Sequence, residues 1–162
     1  MLKELMIEIP LAVIGTIGFT ILFGVSPRHY LPCGLNGGFS WLVYRIAAAF
    51  ALTAPVATFA AALALTTASR ALAARLKAPA VIFLYGGVFT LVPGAGIYAI
   101  AYKIFLGSVP DGFMTASDTV KTAVAIALGI GVSYMIPPKV FGWRKNSLTM
   151  DDSENGDMTP PR

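Results

Sequence analysis

The chain has 162 residues, 56% of them hydrophobic and 12% charged, with a formal net charge of +4 and a mean hydropathy of +0.73. A soluble domain keeps about a quarter of its residues charged, so a self-contained aqueous enzyme is excluded and a membrane chain is expected. The basic residues sit singly between apolar runs, which argues against nucleic acid as a partner, and one cysteine, Cys33, excludes a disulfide framework or a cysteine-rich metal site.

At about 20 residues per span, this length accommodates about five transmembrane helices, four at the least, in an all-α polytopic membrane protein. The first span is expected over 9–27, with Pro10 in its first turn and Gly15 and Gly18 as packing positions. It lacks a small-x-small cleavage site, so it is expected to remain as a span. SPRHYLP (26–32) reads as a loop carrying Arg28 and His29. A second span over 33–50 concentrates Gly34, Asn36, Gly37, Gly38 and Ser40 before Arg45. After a turn at Thr53-Ala54-Pro55, a third span covers 56–74 and ends among Arg70, Arg75 and Lys77.

The fourth span, about 80–104, contains Gly86-Gly87 and then Pro93-Gly94-Ala95-Gly96. Lys103 to Asp118 reads as a mixed loop with its turn at Pro110-Asp111-Gly112. A fifth span over 119–137 opens on an Asp118–Lys121 pair and stops at Pro137-Pro138. Residues 1–146 thus form a transmembrane domain. Residues 147–162 form an acidic tail without apolar periodicity, expected to be disordered. Arg28, Arg70, Arg75, Lys77, Lys139, Arg144 and Lys145 fall on one side of a five-span arrangement, against Lys3, Arg45, Lys103 and Lys121 on the other. The positive-inside rule then favours a cytoplasmic C-terminus and an external N-terminus.

Two readings of Pro93–Gly96 stand. One is a kinked helix whose small residues pack against neighbours. The other is a discontinuous helix whose freed backbone N–H groups favour an anionic carboxylate. Thr90 precedes the break; Tyr98 and Tyr102 share a face beyond it, Tyr98 being the deeper and the better candidate for lining a cavity. Asn36 needs a polar partner across a helix pair or on a solute. Arg45 can snorkel, pair with Glu8 or hold a solute carboxylate. Gly34, Gly37, Gly38, Gly86 and Gly87 are packing candidates. No set of reactive groups suggests catalysis, a metal or a cofactor.

The strings GLNGGFSWLVYR (34–45), ATF (57–59) and VIFLYGGVFTLVPGAGIY (81–98) resemble the threonine/serine exporter family, over about residues 5–136. The match is to the small membrane subunit of its two-component form, equivalent to the C-terminal half of the fused exporters. The resemblance implies proton-gradient-driven efflux across the cytoplasmic membrane of a prokaryote, of threonine and serine or of a C4-dicarboxylate such as succinate. It also implies a larger membrane subunit as partner, a homo-oligomer being the alternative. On this resemblance Pro93, Gly94, Gly96 and Tyr98 match the proline-glycine segment, and Gly34, Gly37 and Gly38 the glycine-rich second helix. Glu8 falls where some small subunits carry an acidic residue. Gly86 and Thr90 replace two prolines common in relatives, implying a softer upstream kink, and Gly38 replaces a histidine found in some. The competing reading is a membrane scaffold that transports nothing and uses its glycines for packing alone.

Overall fold

The computed structural model describes residues 2–50 and 52–137, so the tail expected over 147–162 lies outside the described residues. Every regular element among them is helical: α1 (Leu2–Leu22), a 3-10 turn (Pro27–His29), α2 (Tyr30–Ala49), α3 (Ala54–Leu76), α4 (Ala80–Leu91), α5 (Gly94–Phe105) and α6 (Val109–Met135). α4 and α5 are two halves of one segment, the fourth of five helical segments, which is the candidate fourth pass and is broken at Pro93. Lys3–Leu22, Ala54–Leu76, Ala80–Phe105 and Val109–Met135 are each long and apolar enough to cross a membrane. α2 has the length for it, 20 residues, but its glycines, Asn36, Ser40 and Arg45 dilute its hydropathy. The chain is a multi-pass helical membrane protein.

Side-chain size explains why the helices meet where they do. α2 packs between α1 and α3, α4 lies against all three, and α6 runs along α3 and α5. A ridge on α1 made by Val13, Thr16, Ile17 and Thr20 lies directly on glycines. A Cβ on Gly34 would come within 2.7 Å of Ile17, one on Gly38 within 2.6 Å of Val13, and one on Gly86 within 2.6 Å of Thr20 Oγ1. Gly37 faces Thr16 and Gly87 faces Leu65 at similarly close range. In hydrocarbon, association depends on such close contact, because lipid tails are as apolar as the helices. Phe19 stacks on Phe89 at 4.7 Å and fastens α1 to α4.

Buried hydroxyls satisfy themselves locally, as the absence of water requires. Thr16, Thr20, Thr66 and Ser69 each donate to the carbonyl four residues back, at 2.7–2.8 Å. The exposed surface is meanwhile apolar, with Leu11, Ile14 and Leu22 outward on α1 and Val124, Leu128 and Val132 on α6. Helices that are hydrophobic outward as well as inward suit a bilayer and not water.

Several boundaries differ from the sequence reading, each for a physical reason. α1 begins at Leu2, not near residue 9, and continues through Pro10; its extra turns carry Glu4 and Glu8 to Arg45 of α2. It ends at Leu22, five residues early, because Gly24 takes φ +67°. Val25 N–H then bonds Thr20 O and Gly24 N–H bonds Ile21 O, closing the helix C-terminus. The 26–32 segment is not an open loop. α2 already starts at Tyr30 and holds Pro32 in its first turn, where a missing N–H costs nothing. His29 is buried edge-on against Phe83 at 5.5 Å.

The largest correction concerns residues 103–118. α5 runs to Phe105 and α6 starts at Val109, so Pro110-Asp111-Gly112 is a helix start and not a turn. Proline suits the first helical turn, and an acid there faces the positive end of the helix dipole. The reversal falls instead on Gly107, at φ +82°.

Candidate functional site

The fourth pass breaks because Pro93 has no N–H to continue the ladder. Pro93 adopts φ −75°, ψ 56° and Gly94 N–H donates to Val92 O at 2.7 Å, an inverse γ-turn. Ile97 N–H already reaches Pro93 O at 3.1 Å, so α5 starts at once. Between them, the N–H groups of Ala95 and Gly96 have no backbone acceptor among the described residues. Such orphan donors carry the positive end of a helix dipole. The discontinuous-helix geometry is therefore present, and α4 itself is unbroken: Gly86 and Thr90 sit within a regular helix against Thr16 and Thr20.

A cavity of about 320 Å³ surrounds the break, lined by Thr90, Pro93, Gly94 and Gly96 together with Trp41, Tyr44, Thr58 and Thr122. Thr58 and Thr122 donate their protons to Ala54 O and Asp118 O, at 2.8 and 2.9 Å. Their oxygens therefore keep lone pairs for a solute. The cavity thus combines backbone donors at the start of α5 with hydroxyl acceptors on α3 and α6.

A second cavity of about 280 Å³ adjoins the first across Trp41 and Thr90 and includes Glu8. Arg45 Nε lies 3.1 Å from Glu8 Oε2 and Arg45 Nη2 3.2 Å from Glu4 Oε2. Trp41 Nε1 donates to the same Glu8 oxygen at 3.1 Å. Arg45 therefore pairs with acids on α1.

Two candidates stand apart from this arrangement. Asn36 is buried and donates to Ser69 Oγ at 2.8 Å and Phe83 O at 3.2 Å, tying α2 to α3 and α4. It borders a separate groove of about 530 Å³ between α2 and α3. Tyr98 does not line the break cavity: it is 70% exposed and stacks on Tyr102, centroids 6.1 Å apart. α5 buries none of its residues, so the depth inferred from its position in the span does not translate into enclosure. Gly15 and Gly18 face open space and pack against nothing among the described residues.

The sequence pattern of the family described as "Threonine/Serine exporter, ThrE" matches residues 8–136. The chain belongs to the threonine/serine exporter family. A probable threonine/serine exporter of Mycobacterium tuberculosis is 27% identical over 121 residues, covering 75% of this chain and 23% of the relative. The chain thus spans about a quarter of that relative's length. No solved structure matches it. The family is one of transporters and not of enzymes.

The exporter-family match begins at Glu8 and ends at Ile136, so both cavities lie within it. Sequence reasoning missed Trp41, Tyr44, Thr58, Thr122 and Glu4. Two of these had a usable signal. Glu4 and Trp41 stand four residues before Glu8 and Arg45, the spacing that puts helix neighbours on one face. Thr58 lies in the ATF string but has no distinguishing spacing, and nothing local marks Thr122.

Proposed function

We propose that this chain is the membrane subunit of a secondary exporter of small polar metabolites, threonine and serine or a C4-dicarboxylate such as succinate, driven by the proton gradient. The observation that carries this reading is the broken fourth pass, whose amides at Ala95 and Gly96, without a backbone acceptor among the described residues, open on a cavity lined with hydroxyl oxygens. Broken helices at such sites let backbone groups take over a solute's hydration. Family membership supports the exporter class, and the name of the Mycobacterium tuberculosis relative supports threonine and serine.

A larger membrane subunit completes the path. The largely exposed residues of α5 support this. The Lys/Arg distribution supports an external N-terminus, and the family resemblance supports the cytoplasmic membrane of a prokaryote. Counterflow in proteoliposomes tests the reading: the chain and its co-purified partner are expected to exchange labelled threonine, serine or succinate across a proton gradient. Equal inactivity toward all three overturns it.

A further inference from the structure

Resting on the exporter reading above, we propose that Glu8 receives the ammonium group of the solute, with Arg45 and Trp41 as its positioning residues. The two oxygens of this carboxylate have different surroundings. Oε2 is held twice, by the ion pair to Arg45 Nε and the hydrogen bond from Trp41 Nε1, each at 3.1 Å. Oε1 has no partner among the described residues, and Glu8 lines the cavity that Thr90 and Trp41 share with the helix break. Arg45 divides itself between two acids, sending Nη2 to Glu4.

The other polar groups here also accept. Thr16 commits its one proton to Ala12 O at 2.7 Å, so in its 3.0 Å contact with Thr90 the donor is Thr90. Thr90 is left with lone pairs, and the Trp41 N–H is taken. An ammonium, with three donors and no acceptor, complements such a wall; a carboxylate does not. An α-amino acid is accepted here by its ammonium, and the second carboxylate of a dicarboxylate meets no complement at Glu8.

The test uses proteoliposomes holding the full chain with its co-purified partner, loaded with labelled L-threonine. They are challenged with L-threonine, N-acetyl-L-threonine or succinate. The acetylated probe keeps carboxylate and hydroxyl and lacks only the ammonium. Wild type is expected to exchange with L-threonine and with neither of the others. Glu8→Gln is expected to raise the half-maximal L-threonine concentration roughly ten- to hundredfold, with maximal exchange retained and Glu8→Asp in between. The Gln carbonyl still accepts from Trp41, so an affinity loss at constant maximal rate is not what a structural role would give. Should Glu8→Gln fail to assemble, Trp41→Phe keeps the carboxylate and loses one holding bond. It is expected to weaken L-threonine severalfold while still rejecting N-acetyl-L-threonine. Wild-type exchange with either anionic probe as effective as with L-threonine overturns the assignment, and so does a Glu8→Gln variant indistinguishable from wild type. Exchange of no solute at all overturns the exporter reading and this assignment together.

Discussion

A glycine in this chain has one of two opposite meanings, and contact decides which. A methyl group on Gly37 would collide with Thr16, whereas one on Gly15 or Gly18 would meet nothing within 4 Å. Gly37→Ala is therefore expected to lower stability by about 1–3 kcal/mol through overpacking. Gly15→Ala and Gly18→Ala are expected to be neutral or to gain up to about 1 kcal/mol of helix propensity; thermal unfolding in detergent separates the two outcomes. Asn36 has a structural task at this scale. Asn36→Ala removes the donor to Ser69 Oγ and Phe83 O, with an expected cost of about 1–3 kcal/mol. Because Asn36 lies outside both cavities around the break, the order of preference among solutes in counterflow is expected to stay unchanged. The presence of these residues was legible in the sequence. Their partners were not, since Thr16 and Gly37 are brought together only by the crossing of α1 and α2.

The decisive element is the fourth pass. Pro93 was readable as a break because proline cannot donate and its ring crowds the preceding turn. Pro93→Ala restores the N–H and allows α4 to run on into α5. The expected result is at least a tenfold fall in solute flux with co-purification of the partner unchanged; loss of assembly with flux per complex retained would instead favour a packing role. The same local logic failed at Pro110-Asp111-Gly112, where residues common in turns start a helix. Turn and helix start share the same chemistry, a fixed φ and an acidic side chain near free N–H groups, so composition alone does not separate them. Gly107 takes the reversal because it alone there reaches positive φ without strain. Gly107→Ala is expected to destabilise the α5–α6 hairpin by about 1 kcal/mol or more, measurable as a lowered unfolding midpoint.

Over the whole molecule, the shortage of charge that first pointed to a membrane reappears as an arrangement of the few charges present. Those on α1 and α2 meet one another at Glu4, Glu8 and Arg45, and Asp118 pairs with Lys121 at 3.0 Å. With a fifth helix that buries none of its residues, the chain alone is expected to show no counterflow and to gain it with the proposed larger subunit. Efflux by this chain alone would point to a homo-oligomer. The sequence by itself determined the solvent, the helical class, the approximate number of passes and the place of the break. Those follow from hydropathy and from the backbone limits of proline, which act over a few residues. Only the tertiary structure decided that Thr90 and the break share a cavity with Trp41 and Thr58, and that Glu8 keeps one oxygen free while Arg45 holds the other. It also turned Tyr98 outward. Such pairings join residues tens of positions apart, and they depend on how closely glycine lets one helix approach another.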